Sequence, residues 1–191
     1  MSGRRRPEVV YSAAPSGRTK VAATRSGTAG SRSAVPPETF QLERLDDGGF
    51  RLLDPRGRAL TARPAAEGLQ LPRGLLRHRT GVAGGGYLLT EGDDGTERGR
   101  TMRAARGPRT VDGGTILLAD GRLFAMRSAI EEGRPGFELC GWEVSGAYVR
   151  AEAAPSGWAL SLTPAGTALP DVDTLVLLFA AELWDASGPR I

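Results

Sequence analysis

The chain has 191 residues, 40% of them apolar and 25% charged, with net charge +3, a single cysteine and a single histidine. That length and composition allow one modest buried core, while a lone Cys140 excludes an intramolecular disulfide and a lone His78 excludes a multi-histidine metal centre. The charge is uneven: residues 1–37 hold Arg4, Arg5, Arg6, Arg18, Lys20, Arg25 and Arg32 against Glu8 alone, so they carry +6 and residues 38–191 carry −3.

Residues 1–37 are rich in Ser, Gly, Ala, Thr and Pro, with scattered large apolar side chains such as Tyr11 and Val35. They bury too little surface to offset the entropy of ordering, so this basic tail is expected to be disordered. Pro36-Pro37 marks the boundary with a folded domain over 38–191. Arg4-Arg5-Arg6 look like the start of a signal peptide, but no apolar stretch follows. The expectation is therefore a cytoplasmic protein, peripheral at the inner face of the membrane if the tail is a tether. In that reading the seven basic residues attract anionic phospholipid, at roughly 1 kcal/mol each near such a surface. The competing reading is a solvated extension in an arginine-biased composition, since Lys20 is the only lysine among 25 basic residues. Nucleic acid is not expected as a partner, because the charges are dispersed and the lone Tyr11 makes no interleaved aromatic pattern with them.

From Glu38 to Pro164 the pattern is short strands and tight turns. Phe40, Leu42 and Leu45 precede Asp46-Asp47-Gly48-Gly49, a hairpin signal. Phe50-Arg51-Leu52-Leu53 then turns at Asp54-Pro55-Arg56-Gly57 into Arg58-Ala59-Leu60-Thr61-Ala62-Arg63. Tyr87-Leu88-Leu89-Thr90 before Gly92-Asp93-Asp94-Gly95 repeats the arrangement. So does Thr115-Ile116-Leu117-Leu118-Ala119 turning at Asp120-Gly121 into Arg122-Leu123-Phe124-Ala125-Met126-Arg127. Side by side, RLLDPRGRALTAR and ILLADGRLFAMR share a strand, an Asp-containing glycine turn, an arginine and a second strand. Trp142-Glu143-Val144 and Ala147-Tyr148-Val149-Arg150-Ala151 flank Ser145-Gly146 as a further hairpin, and Trp158-Ala159-Leu160-Ser161-Leu162 alternates up to Pro164. About a dozen such segments at regular spacing predict up-and-down antiparallel hairpins.

The last element reads as a helix over about 171–186. Asp171 or Asp173 can serve as its N-cap, and Gly188-Pro189 as its stop. At about 100° per residue, Val172, Leu175, Val176, Leu177, Leu178, Phe179, Leu183 and Trp184 leave no polar stripe. Roughly 15 residues make a helix of about 22 Å, short of the ~20 residues that span a bilayer. The chain is therefore not expected to be an integral membrane protein. Eight large side chains left in water would forgo on the order of 16 kcal/mol, more than a typical domain's net stability. The strands must then wrap the helix: a mainly β fold, with a closed antiparallel barrel of about twelve strands around it. Eight strands hold only side chains, whereas about eleven enclose a helix. A β-sandwich with the helix on one face is the weaker alternative, because such a helix keeps a polar side.

Catalytic and cofactor readings find little purchase. His78 and Cys140 could at most form a thiol–imidazole pair, with no third group recognisable. Gly84-Gly85-Gly86 lacks the Lys-Ser/Thr of a phosphate loop. Asp46-Asp47, Asp93-Asp94 and Glu131-Glu132 each sit beside glycine, where turn chemistry accounts for them. No enzyme activity, metal or cofactor is expected. Glu182 is the one misplaced polar side chain, lying among Leu175, Leu178 and Phe179 near the negative end of the helix dipole. One reading takes it to the barrel rim, to water or an arginine; the other makes it a buried ionic or ligand contact that needs a partner.

A dozen short strands with D-G hairpins, closed by the buried terminal helix of LPDVDTLVLLFAAELWD, resemble the tubby C-terminal-like superfamily. The similarity is to its LURP-one-related and phospholipid-scramblase-like branch. It covers about residues 38–187 and is strongest from Trp142 to Trp184. The resemblance implies a barrel around a hydrophobic C-terminal helix, and an association with lipid or membranes. The superfamily's lysine cluster and the scramblases' acylated cysteine cluster and acidic calcium loop have no counterpart here, so no site residue carries over and the resemblance bears most firmly on the fold. The expected function is a non-catalytic barrel module that binds lipid or an anionic membrane surface. The alternative is a soluble protein-interaction or scaffold domain, with an unknown protein partner and no lipid ligand.

Overall fold

The computed structural model describes residues 38–79, 85–103, 114–131, 134–142 and 146–186. Contacts divide the chain into units Met1–Val35 and Pro36–Ile191; the first lies outside the described residues, as does the order of the basic tail. The second is a closed barrel of twelve antiparallel strands. In chain order these are β1 (Thr39–Arg44), β2 (Phe50–Leu53), β3 (Ala59–Ala65), β4 (Gly68–Leu71), β5 (Gly74–Arg79), β6 (Gly86–Glu91), β7 (Thr96–Met102), β8 (Thr115–Leu118), β9 (Leu123–Glu131), β10 (Arg134–Gly141), β11 (Ala147–Ala154) and β12 (Gly157–Leu162). Each strand pairs with its neighbours in sequence, and β1 closes on β12 with Thr39 opposite Ser161 and Glu43 opposite Gly157. A short helix α1 (Pro164–Thr167) follows, and then α2 (Val172–Ala186) runs through the barrel.

Inward positions alternate with outward ones, as the pleat requires. Phe40 and Leu42 of β1, Phe50 and Leu52 of β2, Ile116 and Leu118 of β8, and Trp158, Leu160 and Leu162 of β12 all point at the helix and are buried. On α2, every residue from Leu175 to Leu183 is buried. A helix apolar on all sides is thus enclosed on all sides, which a sheet packed on one face cannot provide. Asp171 holds the position before α2: its carbonyl accepts from Leu175 N at 3.1 Å, while its carboxylate accepts from Arg122 Nη2 at 2.8 Å.

The two similar sequence stretches form the β2–β3 and β8–β9 hairpins, and their turns share a local chemistry. Asp54 Oδ1 accepts from the backbone N–H of Arg56 and Arg58, at 2.9 and 2.8 Å. Asp120 Oδ1 accepts from the backbone N–H of Arg122 at 3.1 Å, and its Oδ2 from Arg122 Nε at 2.6 Å. Gly57 and Gly121 take φ of 77° and 90°, the left-handed conformation these turns need. The echo in the sequence is a shared turn design.

Of the expected strand Trp142-Glu143-Val144, Trp142 lies beyond the end of β10 at Gly141 and is not strand, while Glu143 and Val144 fall outside the described residues. The pairing of β10 with β11 shifts register between Leu139 and Cys140, both buried. That bulge breaks the alternation that marks a strand in sequence.

Topology gives the barrel two distinct ends. The turns β2–β3, β4–β5, β6–β7 and β8–β9 gather where α2 enters; β1–β2, β3–β4 and β11–β12 gather at the other end. Glu38 lies at the end where α2 enters, its carbonyl accepting from Leu162 N at 2.9 Å.

Candidate functional site

At the far end of the barrel the helix carries its charges inside. Glu182 is 1% exposed, so it does not reach water at the rim. Its Oε2 accepts from Arg103 Nε at 2.6 Å, and its Oε1 accepts from Thr101 Oγ1. Thr101 Oγ1 in turn accepts from Tyr87 N at 2.7 Å. Arg103 Nη2 lies 2.6 Å from Asp185 Oδ2, an ion pair off the N–H direction that leaves Nη2 without an aligned acceptor. The guanidinium also sits over the Tyr87 ring, 5.8 Å from its centroid. The cluster joins β6, β7 and the last turns of α2.

The electrostatics follow from that enclosure. Burial raises the Glu182 carboxyl above its ordinary range, and Arg103 and Thr101 offset only part of the rise. Burial alone would lower Arg103, but Glu182 and Asp185 hold its proton more firmly than usual. Burial, then the Asp185 charge, raises the Tyr87 phenol. One guanidinium thus answers two carboxylates and the negative end of a helix with no basic residue in its last turn. Chemically this is a closed ionic lock between α2 and the barrel wall.

Sequence reasoning singled out Glu182 and left two surroundings open; the structure shows the buried ionic contact. It assigned none of Arg103, Asp185, Thr101 and Tyr87 to that contact. A carboxylate in an apolar helix signals the need for a cation, but not which of many arginines supplies it. Arg4, Arg5, Arg6, Arg18, Lys20, Arg25 and Arg32 lie outside the described residues. His78 and Cys140 are not brought together. His78 is exposed on β5, edge-on to Tyr87 at 5.5 Å, whereas Cys140 is buried on β10, where burial raises its thiol. Asp47 and Asp94 serve their own turns, accepting from Gly49 N at 3.0 Å and Thr96 N at 3.1 Å. Among the described residues no three His, Cys, Asp or Glu side chains gather as a metal site.

At the other end the wall stands off from the helix. A cleft of about 250 Å³ opens beside the first turns of α2, lined by Leu60, Leu71, Leu89 and Leu177, with Arg73, Arg98, Glu91 and Asp173 at its rim. A second, of about 270 Å³, shares Leu60, Asp173 and Leu177 and continues toward Phe40, Leu52 and Asp54. Trp142 also stands at this end and is 61% exposed. No helix among the described residues is long and apolar enough to cross a membrane. Comparison of the chain with protein families, with curated proteins and with solved structures found no match.

Proposed function

We propose that the chain is a non-catalytic β-barrel module that associates with an anionic lipid surface, with residues 1–37 supplying the attraction. The observation that carries this reading is the division of charge, +6 in residues 1–37 against −3 in the remainder. Seven basic side chains at roughly 1 kcal/mol each are enough to localise a domain at such a surface. The resemblance to the tubby-like and scramblase-like barrels supports the same assignment, and a location at the inner face of a membrane goes with it. The reading is tested by vesicle co-sedimentation of the full chain, with the seven basic residues intact or replaced by glutamine. A specific observation favours a second reading, a protein-interaction domain. Trp142, at 61% exposure, is a large aromatic left in solvent, and tryptophan is enriched among the anchors of protein interfaces.

A further inference from the structure

We propose that the two clefts beside the first turns of α2 form a binding site for a single-chain amphiphile whose headgroup carries both a phosphate and an ammonium. The inference rests on the lipid reading and names the lipid component that the barrel itself would hold. Its first support is where the core is incompletely covered. Phe40, Leu52, Leu71 and Leu177 retain 6–7% exposure, and all four line these clefts, whereas Leu175, Leu178 and Phe179 of the same helix have none. The clefts, about 250 and 270 Å³, meet on Leu60, Asp173 and Leu177, so a flexible chain can run from one into the other. Together they fall in the range of small-ligand pockets, about 300–1,000 Å³.

The second support is the charge at the rim. Glu91 is committed to Arg98 at 3.3 Å, and Asp54 is committed to Arg58. Two charges remain without an ion-pair partner among the described residues: Arg73 in the β4–β5 turn and Asp173 in the first turn of α2. An apolar trough with one free cation and one free carboxylate at its lip complements an acyl chain bearing a zwitterionic head. The phosphate meets Arg73 and the ammonium meets Asp173. A purely anionic head gains Arg73 but faces Asp173, and a purely cationic head has the reverse conflict.

The test uses the full chain and monomeric dodecylphosphocholine, below its micelle concentration, in isothermal titration calorimetry. One saturable site is expected. The octyl analogue should bind at least tenfold more weakly, since each buried methylene contributes about fourfold. Leu60→Trp fills the trough and should abolish binding. Arg73→Gln should weaken both dodecylphosphocholine and laurate. Asp173→Asn should weaken dodecylphosphocholine while strengthening laurate, and that opposite response separates headgroup recognition from mere greasiness. Both polar variants are at exposed positions, so the proposal stays testable if Leu60→Trp does not fold. Absence of saturable binding overturns the inference, and so does binding that ignores the charge substitutions. Anionic-vesicle association that persists in the Leu60→Trp chain, but is lost when the seven basic residues are replaced, leaves the surface reading standing whichever way the cleft result falls.

Discussion

Arg103 Nε lies 2.6 Å from Glu182 Oε2, joining two side chains that are 10% and 1% exposed. One follows directly on strand β7 and the other comes from the helix that the strands enclose, so the pair fixes the depth and rotation of α2 in the barrel. Removing the partner of a buried charge costs about 3–5 kcal/mol, whereas replacing both partners with apolar groups is often neutral or stabilising. Arg103→Leu strands Glu182 beside Asp185 and should cost that full amount in chemical denaturation. Glu182→Leu should cost less, because Asp185 still holds the guanidinium. The double variant should recover much of the loss. Additive losses would show that the two groups do not act as a pair.

The same carboxylate gives a pH signature. Burial raises Glu182 above its ordinary value of 4.5. Between that value and the raised one, the native state keeps a proton that the unfolded state has released, so stability falls as pH rises through the window. Glu182→Gln cannot titrate. The stability of the wild type minus that of the variant should therefore grow as pH falls from neutral toward 4.5. Asp94, held low by bonds from Thr96, and Asp120, held low by the backbone and side chain of Arg122, act in the opposite sense below 3.8. Melting curves across that range measure the slope, and a difference that shrinks on acidification would contradict the assignment.

Closure of the barrel can be broken at one glycine. Gly157 opens β12 opposite Glu43 with φ of 152°, and a methyl there would collide with the Leu42 carbonyl of β1. Gly157→Ala adds backbone strain of about 1–3 kcal/mol to that clash. We expect a loss of at least 3 kcal/mol, about the sum of strain and overpacking. Alanine at Gly146, where a methyl meets nothing within 4 Å, should be nearly silent.

Trp184 holds the far end of the helix. Its Nε1–H donates to the Gly49 carbonyl at 3.1 Å, its ring packs on Phe50 at 6.1 Å, and Arg44 lies over it at 5.7 Å. Trp184→Phe keeps the aromatic body but loses the donor, so it should cost about 1–2 kcal/mol. A melting temperature equal to wild type would show that the bond contributes nothing.

Why some of this architecture could be read from residues alone, and some could not, has physical causes. The helix was legible because between Thr174 and Asp185 nothing polar interrupts its wheel except Glu182, β12 because its apolar residues alternate, and β2 and β8 because each is a short apolar segment running into an Asp-containing glycine turn. Strand β7 was not: its buried inward positions include Gly99 and Thr101, a glycine and a hydroxyl, so no hydrophobic period appears. Strand β10 was hidden by its bulge, and α1 by its length, since four residues capped by Thr163 carry no helical period. Arg103 was invisible because its role depends on a partner 79 positions away, brought near only by the closure of the barrel. The clefts were illegible because they arise from where α2 sits within the strands.

The most direct measurement is co-sedimentation of the full chain with anionic and neutral vesicles, at low and high salt, with and without the seven basic residues. Screening shortens from about 10 Å at 0.1 M salt to about 3 Å at 1 M, so an electrostatic tether should release its surface over that range. A tethered barrel should bind anionic vesicles at low salt, bind neutral ones little, and lose binding when the seven residues are glutamine. No binding to anionic vesicles at low salt, or binding unchanged by the substitutions, would contradict the tether.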